Sequence, residues 1–364
     1  MEATGNTLSG GGLFSLRISA FLCVSAVKQV VRAHLPQRRR GTQRYAEKKF
    51  QIRHNTLNGG GYRLTFFMIN IKRILCPTDL SPYSGTAVRY ALALARAHDA
   101  ELILLHCTDD ADGEEKLAAS VMDYIEPSDS HWRFAIAPAS EVAETIMTRA
   151  QAENVDWIVM RSRRRPHRAA LLGSTAESVC RSAPCSVLVM HNDEREFVSD
   201  GLRVNLKRVL VAYDFSDYSE LALKYALSIA QEHEAELHLL HVLPPRSVNE
   251  PEIAWYPINS ESAYHTVARR LQRVVPAEVH LWCDVKTAVS EGHPYREILT
   301  YAENNEIDLI SVGAHGAGFG MRALFGSNVD RVLRQSPCPV LVARPLRPRT
   351  VSKDLETNQT VTLR

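Results

Sequence analysis

The stretch IDLISVGAHGAGFGMRALFGSNVDRVLRQSPCPVLVAR, residues 307–344, opens with an apolar run at 307–312 of strand length and composition. A loop follows with glycine at 313, 316, 318, 320 and 326. Then come Ser327 and a helical pattern that puts Val329, Val332 and Leu333 on one face. Pro337 and Pro339 close that helix, and residues 340–343 read as a second buried strand. Strand, glycine loop and helix N-terminus in this order are what main-chain amides need to cradle phosphate oxygens. Glycine lets the backbone approach an anion closely and adopt positive φ. Ser327 is expected at the N-cap, where its hydroxyl and the first open amides face the ligand.

The spacing is Gly313-x2-Gly316-x9-Gly326-Ser327. With the helix and the PCPVLV strand behind it, this pattern resembles the nucleotide-binding signature of the universal stress protein family. The resemblance extends over roughly residues 69–345. It implies a parallel sheet of order 3-2-1-4-5 and an intracellular, cytoplasmic, stress-linked protein. The ligand it implies is ATP or a related adenine nucleotide, which Mg2+ can accompany.

The chain also repeats itself. Residues 71–107 align without gaps onto 206–242, with 19 of 37 positions identical, among them Asp79/Asp214, Ser81/Ser216, Tyr90/Tyr225 and His106/His241. A second pair of blocks, residues 155–191 and 307–344, also aligns. Such self-similarity at long period marks a duplicated domain. Within each copy strands alternate with helices: strands at 71–76 and 207–212, helices at 84–98 and 218–233, and second strands at 101–106 and 236–242. Third strands are expected at 132–136 and 278–284, and further helices at 141–153 and 294–304. The fold class is therefore α/β, two tandem doubly wound parallel five-stranded sheets. The expected division is an extension at 1–67, a first domain at 68–192, a linker at 193–205, a second domain at 206–346 and a polar tail at 347–364.

In the implied order the first and fourth strands are neighbours, and ligands bind where the connection direction reverses between them. Asp214 lies just past the first strand of the second copy, and the loop from Gly313 lies just past the fourth. Two signals far apart in sequence thus meet at one crevice. Asp214 reads either as the start of a turn or, by the resemblance, as the acidic residue that contacts the nucleoside. Ala212, Val242 and Val312 match positions that line the adenine, or are plain core. His315 reads as a phosphate donor or as an ordinary loop histidine. Gly316, Gly326, Ser327 and Asn328 complete the candidate site. Arg322 fits a phosphate partner less well than a solvated loop residue. His106 and His241 end the second strands without a Cys/His/Asp/Glu cluster, which favours structural histidines over metal ligands.

The first copy departs from this pattern. Arg161 and Arg164 replace Gly313 and Gly316, and the loop before Gly173-Ser174 is one residue shorter. Ser140 and Val142 stand where the second copy has Gly292 and Pro294. The basic string at 161–168 reads as a solvated loop or as an anion holder by side-chain charge. Asp79 survives, so the expectation is one competent site and one degenerate one.

Composition bounds the rest. With 45% hydrophobic and 23% charged residues the chain can bury sizeable cores. Residues 1–67 carry eleven Lys/Arg and two Asp/Glu, leaving 32 basic and 39 acidic residues in the remainder. An acidic body argues against a general nucleic-acid binder. The apolar core of the extension, residues 18–27, is half of the roughly 20 residues a spanning helix needs. A cleavage-like site at 24–26 permits a signal-peptide reading, opposed by the basic run at 38–40; the alternative is a disordered or non-native extension. The seven cysteines form no C-x2-C pair, so neither zinc site nor disulfide framework is indicated. The expected function is a binding and signalling module. The rival is an enzyme, such as a slow ATPase; a nucleotide-free interaction protein is a third class. No P-loop, Ser-Gly-Gly pyrophosphate loop or paired carboxylates beside the loop speak for catalysis. The last strand of each copy, 186–190 and 339–343, is apolar on both faces and falls at a sheet edge. Such edges are normally covered or paired, so the two copies are expected to pair through them in a monomer. Unknown protein partners remain open, and no membrane contact is expected.

Overall fold

Apolar residues that alternate along each strand, separated by helices rich in alanine and leucine, fold in this chain as layers of helix on both faces of a sheet. The computed structural model describes residues 69–81, 84–110, 131–162, 173–191, 195–199, 201–245, 260–316 and 326–345, with Lys116 and Ala119. The expectations for the basic extension, the tail at 347–364, Arg164 with most of the basic string, and loop residues Gly318, Gly320 and Arg322 lie outside the described residues. The first repeat runs β1 (Arg73–Thr78), α1 (Gly85–His98), β2 (Glu101–Cys107), β3 (Trp132–Ala137), α2 (Val142–Ala152), β4 (Trp157–Arg161), α3 (Ser174–Ser182) and β5 (Ser186–Met190). The second runs β6 (Arg208–Ala212), α4 (Asp217–His233), β7 (Glu236–Leu243), α5 (Ser260–Gln272), β8 (Val285–Glu291), α6 (Pro294–Asn304), β9 (Leu309–Gly313), α7 (Ser327–Gln335) and β10 (Val340–Ala343).

Each repeat has strand order 3-2-1-4-5, and β5 and β10 join the two halves into a ten-stranded sheet, β3-β2-β1-β4-β5-β10-β9-β6-β7-β8. All described pairings within a repeat are parallel. One clamp fixes the neighbourhood of the first and fourth strands in both repeats. Asp156 Oδ2 accepts hydrogen bonds from the amides of Lys72 and Arg73 at 2.7 and 3.0 Å. Asp308 Oδ2 accepts from those of Lys207 and Arg208, both at 2.9 Å. These charge-assisted bonds satisfy amides that start a buried strand. Alternation does the rest: Val209 and Val211 enter one core layer while Leu210 enters the other.

One element is displaced from its expected position. Residues 278–284 are not the third strand of the second repeat; Ala277–Leu281 form a 3-10 turn and the strand is Val285–Glu291. The apolar residues of that turn serve as an anchor, with Val279 and Cys283 buried in the core. The true strand sits at the sheet edge, paired only to β7, and has little apolar patterning of its own. Six cysteines among the described residues are free, and burial pushes the Cys76, Cys180, Cys185 and Cys283 thiols up to about 12. Among the described residues no helix is long and apolar enough to cross a membrane.

At the seam, Val340, Leu341 and Val342 face Val189, Leu188 and Val187 in antiparallel register. Cross-repeat polar contacts surround these apolar pairs. The Arg344 guanidinium donates to the carbonyls of Cys180 and Arg181 at the end of α3, both at 2.6 Å, meeting acceptors that a helix terminus leaves open. The residues between the repeats lie along the seam: the Phe197 amide donates to Tyr90 Oη at 2.9 Å, and the Arg195 guanidinium to the Ile307 carbonyl at 2.7 Å. His98 and His233, the last residues of α1 and α4, meet edge to face with centroids 5.9 Å apart.

Burial holds His98 below its ordinary value of 6.5, with the charge of Glu232 opposing the shift. Burial lowers His238 and His241 in the same sense. For such groups the unfolded chain binds the proton first, so the stability they contribute is present above about 6.5 and is lost as pH falls below it. Urea unfolding midpoints should therefore drop between pH 7.5 and pH 5, and His98→Phe should flatten that drop. A profile identical in the two proteins would show that His98 is not buried in the neutral form.

Candidate functional site

In the second repeat, Ser216 caps α4, its hydroxyl accepting from the Ser219 amide at 3.2 Å. The same Ser216 holds Asp214: Asp214 Oδ1 accepts from the Ser216 amide at 3.1 Å and from its hydroxyl at 2.5 Å. This Asx turn requires Phe215 between them at φ 63°. The carboxylate is thereby fixed by local geometry just past the end of β6.

The end of β9 arrives from the other side. A Cβ on Gly313 would lie 2.6 Å from the main-chain carbon of Tyr218 in the first turn of α4, so only glycine fits. A Cβ on Gly316 would lie 2.8 Å from Asp214 Oδ2. The glycine turn after β9 and the acid after β6 thus share one crevice, where the strand order reverses. His315 sits on the same ground, its ring edge to face with Tyr218 at 4.9 Å. Val312 is buried in the core layer under the crevice, and Ala212 and Val242 are half-buried on that same face.

The structure therefore brings together Asp214, Gly313, His315 and Gly316, with Ala212, Val242 and Val312 on one side of the sheet. Gly326, Ser327 and Asn328 follow the undescribed residues 317–325. One expectation is corrected here. The N-cap of α7 is Gly326, not Ser327, because the Gly326 carbonyl already accepts the Asp330 amide at 3.0 Å. Ser327 is the first residue inside the helix. Sequence reasoning missed Tyr218 and Ser216, although both match identical residues of the first repeat, Tyr83 and Ser81.

His241 and its counterpart His106 are tied into strand ends: their Nδ1 atoms lie 2.7 and 3.0 Å from the carbonyls of Tyr213 and Thr78. Among the described residues no group of three or more His, Cys, Asp or Glu is placed to hold a metal.

The first repeat keeps the acid and its turn. Asp79 Oδ1 accepts from the Ser81 amide at 3.1 Å and hydroxyl at 2.6 Å, with Leu80 at φ 59°. Arg161 ends β4 where Gly313 ends β9. Next to it the buried Ser162 hydroxyl accepts from the Gly173 amide at 3.3 Å, spanning the two ends of the loop. Ala314, at the matching position of the second repeat, has no hydroxyl to do this.

Comparison with known proteins agrees with this fold. The profile of the universal stress protein family matches residues 70–131, 139–191 and 205–344. A universal stress protein of Mycolicibacterium smegmatis is similar over both repeats, 26% identical across 75% of this chain and 97% of its own length. One from Thermus aquaticus is 33% identical over 143 residues, 38% of this chain and 98% of its own. The crystal structure of a universal stress protein from Archaeoglobus fulgidus superposes with a TM-score of 0.54 at 25% identity, covering 77% of this chain and 97% of that one.

The two loop glycines should answer differently to a methyl group. Gly313→Ala drives a Cβ into backbone and should cost about 2–4 kcal/mol of unfolding free energy. Gly316→Ala meets only the end of the Asp214 side chain and should leave thermal stability within about 1 kcal/mol of the parent. Equal losses by urea unfolding would contradict this division.

Proposed function

This chain belongs to the universal stress protein family, and from that premise we propose that its second repeat binds ATP or a related adenine nucleotide. The observation that carries the proposal is the closeness of Gly316 to Asp214, where a single Cβ would fill the gap. A backbone without side chains on one wall and an ordered carboxylate on the other suit the phosphates and the nucleoside of one ligand. In this reading Asp214 contacts the nucleoside, while Ala212, Val242 and Val312 line the base. The amides of Gly313, His315, Gly316, Gly326, Ser327 and Asn328 face the phosphates. Mg2+ enters with the phosphates, which carry its charge partners themselves. The protein acts in the cytoplasm as a binding and signalling module, its conformation or partners responding to occupancy.

The reading of a single competent repeat is supported by Arg161 at the end of β4, where the second repeat has Gly313, and by the Ser162–Gly173 bond that has no counterpart at Ala314. The proposed division of the chain keeps the first domain at 68–192 and the second at 206–346.

Calorimetric titration should give one ATP site per chain. Gly316→Arg, which imports the residue aligned in the first repeat, should abolish binding, whereas Ser162→Ala should leave it unchanged. Affinity within a few-fold of the parent in Gly316→Arg would remove the phosphates from this loop. Turnover on the order of 1 per second, usual for enzymes, would move the protein into the enzyme class.

We further propose that the β5–β10 pairing persists in solution and makes the chain a monomer. Hydrogen exchange should show protected amides at Val187, Val189, Val340 and Val342, and Leu341→Lys should aggregate or lose about 4 kcal/mol of stability by burying an unpaired charge. Rapid exchange at those amides in the parent protein would rule the pairing out.

A further inference from the structure

The Asp214 turn is held by more than its own hydrogen bonds. Phe215, at φ 63°, is in a conformation that bulky L-residues disfavour. Its ring packs against Tyr213 of the same turn and against groups from two other elements. The Tyr213 ring lies edge to face at 5.2 Å, and the His241 ring of β7 lies tilted at 4.9 Å. The Arg270 guanidinium of α5 sits 3.9 Å from the ring centroid, a distance at which a cation is attracted to the aromatic face. These neighbours are themselves fixed. His241 Nδ1 is bound to the Tyr213 carbonyl, and Tyr213 Oη donates to Glu220 Oε2 at 2.8 Å. Val267 and Leu271 are buried on either side of Arg270 in sequence, so α5 presents the guanidinium from an anchored helix face.

We infer that Phe215 and Arg270 are positioning residues: they act through Asp214, holding its Oδ2 toward Gly316, and so tie α5 to the ligand. This rests on the nucleotide reading above. The first repeat supplies the contrast. Leu80 adopts the same left-handed turn, and Asp79 makes the same two bonds to Ser81, so an aromatic clamp is not needed to form the turn. The clamp is found in the repeat whose fourth strand ends in glycine. There the carboxylate has a crevice to face, and its orientation matters for a ligand. Both residues bear on Asp214 through the main chain of 214–216, where the carboxylate holds the Ser216 amide. The link also runs the other way. A ligand that orders Asp214 would tighten the stack and the seating of α5, which gives occupancy a route to a surface helix.

The test uses the full chain with Phe215→Leu, the residue of the first repeat, and Arg270→Met, which keeps the stem and removes the charge. Each should weaken ATP binding by about three- to tenfold, and the double variant should bind no worse than the weaker single one, because the two form one unit. Arg270→Lys, which keeps the cation, should recover most of the affinity. In the absence of nucleotide, amide exchange at Ser216, whose N–H is held by Asp214, should accelerate in both single variants while the melting temperature is nearly unchanged. Additive losses, or unaltered affinity, would overturn the inference. If the parent protein takes up no adenine nucleotide, the proposed function fails, and Ser216 exchange alone decides whether the clamp holds Asp214: unchanged exchange in both variants overturns that too.

Discussion

Where β9 runs out, the main chain of Gly313 and the first turn of α4 compete for the same space, with 2.6 Å left for a Cβ that glycine does not have. Much of the second repeat's site follows from that contact. Because the fourth strand ends without a side chain, α4 can begin at Asp217, one residue after its Ser216 cap. Ser216, the cap of α4, also holds Asp214, and the held carboxylate lies beside Gly316. In the first repeat Arg161 stands at the strand end, and α1 begins at Gly85, which aligns with Glu220 and is one turn further on. The acid and its turn persist there, but the space beside them is differently used. The two repeats therefore differ at this strand end, glycine at 313 against arginine at 161.

Much of this was legible in the sequence because it is dictated locally. The helix α6 begins at Pro294 and ends at Asn304, as its pattern and its N-terminal proline indicate, and α1 and α4 agree with expectation to within one residue. The repeat itself gives the order 3-2-1-4-5 through the family it resembles, and the topology has that order twice. What escaped had no local signature. The edge strand β8 offers VKTAVSE, with little apolar content, while the preceding AEVHLWC mimics a strand because its apolar residues plug the core from a turn. The cap of α7 was displaced by one residue because glycine at a cap leaves no side-chain signal, and the adjacent serine attracts the assignment. The two glycines were legible from their spacing, and the acid from the resemblance and from its place just past the first strand. Tyr218, Phe215 and Arg270 were not, since their roles come from contacts between elements far apart in sequence.

The seam has its own logic. An edge strand buried on both faces is an open template for pairing, and each repeat ends in one. The tandem chain carries both, in antiparallel register across an otherwise parallel sheet, so that equivalent residues of the two repeats face each other: Leu188 meets Leu341, and His98 meets His233. The cross-repeat bonds of Arg344 and Arg195 add polar closure around this apolar line. The arrangement places the two crevices on separate halves of one continuous sheet, so a change in one repeat has a hydrogen-bonded path to the other.

The central claim is an asymmetry: two repeats of one fold, of which the second alone holds an adenine nucleotide. Native mass spectrometry of the freshly purified chain measures that directly, since it weighs the protein with whatever it has retained and counts the copies. One adenine nucleotide per chain, lost on Gly316→Arg and retained on Ser162→Ala, is the predicted result. Two nucleotides per chain, or none after incubation with excess ATP, would contradict the account.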